Sequence, residues 1–133
     1  SKNTELAKRI PNGTPIPISE ARGEKFVSNK PGHSVRAVQD NLFITNDMHP
    51  KIILETVSIE VEKKVCIACD AVMICPKNYI EKTPEMLEKA SIYPILYADS
   101  QRHCYICHRK NLYLTKYMRD FINILVEVEN PFL

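Results

Sequence analysis

Apolar residues change their spacing several times along the 133-residue chain, and each change marks an expected element. Toward the C-terminus Leu114, Tyr117, Met118, Phe121, Ile122 and Leu125 recur at helical intervals, with Lys116, Arg119, Asp120 and Asn123 elsewhere. This stripe predicts an amphipathic helix, of the kind that usually packs rather than reacts; Pro131 ends it. Upstream, Val57-Ser58-Ile59-Glu60-Val61-Glu62 alternates apolar with polar, the period of a half-buried strand. Val35–Thr45 and Lys51–Val65 are rich in β-branched residues, with turn chemistry between them at Asn46-Asp47-Met48-His49-Pro50.

Ala71–Cys75 reads as a short returning strand stopped by Pro76, and Ile92–Ala98 as an edge strand carrying Pro94. Thr83-Pro84-Glu85-Met86 predicts a helix over Pro84–Ser91, with a capping hydroxyl, a proline at the first position and an acid at the positive end. Residues 1–34 look different. Pro11, Pro15, Pro17 and Pro31 each remove a backbone donor and bias their neighbours toward extended geometry. A helical turn at Thr4–Arg9, capped by Thr4 or Asn3, is expected there, and Pro15-Ile16-Pro17-Ile18 reads as polyproline-like or edge-strand backbone. The division is thus an extended, basic arm over 1–34 and an α+β domain over 35–133.

Composition narrows the class. Hydrophobic residues make up 44% and charged residues 26%, a globular balance, and a formal charge of +2 announces neither nucleic acid nor membrane. No apolar run approaches the roughly 18 residues that span a bilayer, and no signal-type stretch opens the chain, so an intracellular protein is expected. Five cysteines are the unusual entry, four of them in Cys66-Ile67-Ala68-Cys69 and Cys104-Tyr105-Ile106-Cys107. Two such turns can aim four thiolates at one point, the tetrahedral shell that zinc accepts. The expected cofactor is therefore one structural Zn2+ on Cys66, Cys69, Cys104 and Cys107. His103, His108 or Cys75 are the alternative ligands; the preferred role for Cys75 is a buried core thiol.

The two knuckles resemble the general zinc-ribbon and treble-clef class over about residues 60–128. That resemblance implies a small zinc-stabilised α+β fold with antiparallel strands and a C-terminal helix. A closed four-sulfur shell leaves no position for a reacting water, and no Gly-rich phosphate loop or Gly-x-Ser-x-Gly is present. An enzyme is not expected. Two binding roles remain. The first is a protein-interaction subunit of a larger assembly, viral on a weak compositional hint, with no small-molecule substrate. The second is a nucleic-acid-binding protein using Arg102, Arg109, Lys110, Lys116 and Arg119 with Tyr105 and Tyr113 interleaved.

Overall fold

The centre of the sheet is β1, Lys25–Asn29, where Phe26, Val27, Ser28 and Asn29 are all buried. A strand covered on both faces belongs inside a sheet flanked by helices. The computed structural model describes residues 1–97 and 105–129, and the chain divides into two units, Ser1–Ser100 and Gln101–Leu133. In the first unit β1 leads through α2 (Ser34–Thr45) to β2 (Lys51–Thr56), which lies parallel to it. The chain then passes through α3 (Ile59–Ala68) to β3 (Val72–Met73), parallel to β1 on its other side. The strand order is β2-β1-β3. The register slips between Phe26 and Val27, which pair with Ile52 and Leu54 and leave Ile53 as a bulge.

Parallel strands joined by crossover helices replace the expected antiparallel α+β zinc fold. The alternation at Val57–Glu62 misleads because Ser58 caps a helix: its Oγ accepts from the Val61 amide at 3.4 Å. Val35–Thr45, rich in β-branched residues, lies within α2 for the same kind of reason, with the His33 Nδ1 accepting from the Val35 amide at 3.2 Å.

Both helices end in the same way. At α2 the Met48 amide donates to the Phe43 carbonyl at 2.8 Å and the Asp47 amide to Ile44 at 3.2 Å, with Asp47 at φ 47°. At α3 the Ala71 amide reaches back to the Cys66 carbonyl at 3.0 Å, with Asp70 at φ 48°. These are Schellman ends, which usually place glycine in the left-handed position. Aspartate takes that place here, so the usual stop signal is missing from the sequence.

The core joins Leu6, Ile16, Ile18, Ala21, Phe26, Leu42, Phe43 and Met48. Phe26 and Phe43 meet edge to face, with centroids 5.1 Å apart. Five of those eight residues precede position 35, so the segment read as an arm supplies much of the packing and the central strand. Its first helix, α1 (Glu5–Arg9), is capped by Thr4, whose Oγ1 accepts from the Ala7 amide at 3.2 Å. A 3-10 turn at Ile18–Ala21 follows an extended run in which Ile16 bridges to Ile95. Beyond β3 come α4 (Asn78–Glu81) and α5 (Pro84–Lys89). Thr83 does not cap α5 with its side chain; the hydroxyl donates to the Tyr79 carbonyl and accepts from Lys63.

In the second unit an irregular stretch from Tyr105 leads into α6 (Lys116–Glu129), whose Arg119 amide donates to the Thr115 carbonyl at 3.1 Å. Tyr117, Phe121, Ile124 and Val128 recur along α6 and are exposed. No helix among the described residues is long and apolar enough to cross a membrane.

Candidate ligand-binding site

In a parallel sheet of order 2-1-3, the connections leaving β1 and β3 diverge. The crevice outside the carboxyl ends of those two strands is where open α/β sheets take ligands. Ser28 and Asn29 occupy the carboxyl end of β1, and Ile74 and Cys75 follow β3. The amino-terminal turns of α2 and α3 follow the carboxyl ends of β1 and β2, so their positive ends lie on this same side of the sheet.

Two sets of buried hydrogen bonds tie these parts together, Ser28 reaching α2 and its strand neighbour Asn29 reaching α3. Ser28 Oγ donates to Gln39 Oε1 on α2, and Gln39 Nε2 donates to the Ile74 carbonyl at 2.8 Å. Asn29 Nδ2 donates to Glu62 Oε1 on α3 at 2.5 Å. The Asn29 carbonyl accepts from Arg36 at 2.8 Å, and Arg36 is itself held by Asp40 and Glu55. Those two acids favour the charged guanidinium and raise its pKa further. Lys63 donates to Thr83 Oγ1 at 2.8 Å and pairs with Glu60 at 2.9 Å.

One group in this chain is left incomplete. Glu62 is 0% exposed, and its second oxygen, Oε2, has no hydrogen-bond partner among the described residues. Burial pushes its carboxyl up to about 7. Cys75 sits nearby, where burial first and then Glu62 and Cys66 push its thiol up to about 12. The Ser28, Asn29, Gln39 and Glu62 side chains are almost fully buried and, apart from Glu62 Oε2, bonded within the protein. Cys75 is not an activated thiolate.

Of the cysteines expected to bind metal, the first pair lies at the end of a helix. Cys66 lies in the last turn of α3 and Cys69 is its C-cap, rather than the two forming a knuckle tip between strands. Cys66 is buried, and its thiol donates to the Ala71 carbonyl at 2.9 Å. Burial raises its pKa, which keeps the proton on the sulfur. Cys69 is exposed. Cys104, with Arg102 and His103, lies outside the described residues; Cys107 is exposed in the second unit. Arg109, Lys110, Lys116 and Arg119 are exposed in that unit, and the His108 Nδ1 lies 3.0 Å from the Arg109 carbonyl. Among the described residues no group of three or more His, Cys, Asp or Glu could hold a metal ion.

Comparison with known proteins decides the class. The model of the LysR substrate binding domain family matches residues 4–130. The chain belongs to that family. Among solved structures it is similar to the effector binding domain of QuiR in complex with shikimate, at TM-score 0.70 and 16% identity. The alignment covers 100% of this chain and 60% of that one, so the chain spans about three-fifths of the length of the structure it matches. No curated protein matches the sequence significantly.

LysR substrate-binding domain membership overturns the zinc-ribbon and treble-clef resemblance, and the fold is a periplasmic-binding-protein-like α/β with a parallel sheet. The structural Zn2+ goes with it, since the described cysteines form no metal shell. So do the zinc-finger, viral and structural-subunit roles, and the alternative role as a nucleic-acid-binding zinc protein. The expected partners are corrected too: a substrate-binding family takes a small molecule, which the sequence reading had excluded.

None of these buried polar residues stood out in the sequence. Ser28, Asn29, Gln39 and Glu62 lie within 35 positions with no motif spacing, and only the crossovers bring Ser28 to Gln39 and Asn29 to Glu62. The faint signal is Ser28-Asn29 at the end of an apolar pair, Phe26-Val27, before Pro31-Gly32 and a helix.

Proposed function

We propose that this chain is the effector-sensing part of a LysR-type transcriptional regulator, binding a small polar molecule in the crevice at the carboxyl ends of β1 and β3. It works by reversible binding inside the cell and catalyses no reaction. The observation that carries this reading is the two sets of buried hydrogen bonds, Ser28 to Gln39 and Asn29 to Glu62, at the switch point of the sheet. Because two helix amino ends and the exposed Lys30 lie on this side, an anionic group such as a carboxylate suits the effector. The neighbouring structure's shikimate, a hydroxylated carboxylic acid, is a natural first compound to test.

Differential scanning fluorimetry and calorimetric titration with shikimate and other small hydroxy acids test the proposal. A bound effector is expected to raise the melting temperature saturably, with about 2.7 kcal/mol of added stability at a hundredfold excess over Kd. Asn29→Ala is expected to abolish most of that gain. Equal stabilisation of the variant would place the ligand elsewhere and overturn the assignment.

A further inference from the structure

The geometry points to Glu62 as the residue that selects the effector, by hydrogen-bonding a hydroxyl group of the ligand through its unpartnered Oε2. This inference rests on the ligand site proposed above and specifies one contact within it. Three observations converge. Glu62 is fully buried, although glutamate is seldom buried without a complete set of partners. Its Oε1 is anchored by Asn29 at the carboxyl end of β1, the side of the sheet on which the proposed site lies. Oε2 on the same group then has nothing to bind among the described residues. A buried acceptor left in that state is costly, and a ligand donor would relieve the cost.

The choice of a hydroxyl follows from the proton. With its pKa near 7, the group is divided between acid and carboxylate at neutral pH. An ammonium can only donate and suits the carboxylate alone; a ligand carboxylate can only accept and suits the acid alone. A hydroxyl donates to the one and accepts from the other, so it is satisfied in both states. The groups facing Glu62 do not compensate it. Asn29 uses its amide on Oε1, and the Cys66 and Cys75 thiols are held protonated. Its helix neighbour Lys63 is engaged by Glu60 and Thr83.

The test measures binding of three acid pairs to the whole chain: shikimate against cyclohex-1-ene-1-carboxylate, glycerate against propionate, and gallate against benzoate. For a pair that binds, the hydroxylated member is expected to bind about tenfold tighter or more. Glu62→Leu should remove that preference by weakening the hydroxylated member alone, while Glu62→Gln, whose amide can still pair with a hydroxyl, keeps most of it. In wild-type protein carrying 13C-labelled glutamate, the Glu62 carboxyl resonance should shift with the hydroxylated acid and not with its partner. This readout remains decisive if Glu62→Leu fails to fold. An unshifted resonance, or a preference that survives in Glu62→Leu, overturns the inference and leaves the ligand site standing. Failure of all six acids to bind overturns the site and the inference together.

Discussion

The two units of this chain treat their apolar residues in opposite ways. In the first, Phe26 and Phe43 meet inside a core that draws on α1, the 3-10 turn, β1 and α2. In the second, α6 carries an equally regular apolar series in which Phe121 is 60% exposed and Tyr117 75% exposed. Periodicity therefore reports that a face exists. It does not report whether the face is covered. Burial in the first unit comes from residues far apart in sequence, which a window of a dozen positions cannot register.

The sharpest way to break this contrast is to make the same change in both units. Phe26→Ala removes a ring that is 2% exposed and should cost about 3–5 kcal/mol in urea unfolding. Phe121→Ala should cost no more than about 0.5 kcal/mol in this chain. Similar losses at the two sites would mean that the α6 face is covered after all.

A second prediction concerns pH. Glu62 has a folded pKa near 7, against about 4.3 for an exposed glutamate, so between these values the folded state holds the extra proton. Stability contributed by this group is present at low pH and is lost as pH rises toward and through 7. From about pH 5 to about pH 8 the loss should be about 1–3 kcal/mol, and Glu62→Gln should flatten it. Melting curves across that range would show it, and a rise in stability with pH that depends on Glu62 would contradict the burial described for it.

Smaller effects refine the comparison of helix ends. Ser58→Ala removes the cap of α3 and should cost about 1 kcal/mol by denaturant titration. Cys69→Ser changes an exposed side chain and should move stability by less than about 0.5 kcal/mol, and a chelator should leave the melting temperature where it was. Unfolding by either treatment would restore a metal to the account.

The parts of the fold that were legible had their signals within a few residues. Thr4 before Glu5 marks α1, Thr83-Pro84-Glu85 marks α5, and the stripe from Leu114 marks α6. The parts that were not legible depended on partners far away. Val57–Glu62 alternates like a strand, yet Ser58 caps α3 there, and the helix brings the Glu62 carboxyl to Asn29 at the carboxyl end of the central strand. The Cys66–Cys69 spacing is real but is simply one turn of helix. The proposed site was invisible for the same reason, since Ser28 meets Gln39, and Asn29 meets Glu62, only after the crossovers have formed.

The left-handed aspartates offer a route to a tougher protein. Asp70 is tied down by Ser1 Oγ at 2.8 Å and Asn3 Nδ2 at 3.0 Å, and these bonds hold its carboxyl below the usual range. At Asp47 the contact from Arg22, 2.9 Å long, goes to the backbone carbonyl, which any residue would offer. A glycine at position 47 would relax the positive φ and take a negative charge away from the negative end of α2. Engineers seeking heat resistance without disturbing the proposed effector site would start with Asp47 and leave Asp70 alone.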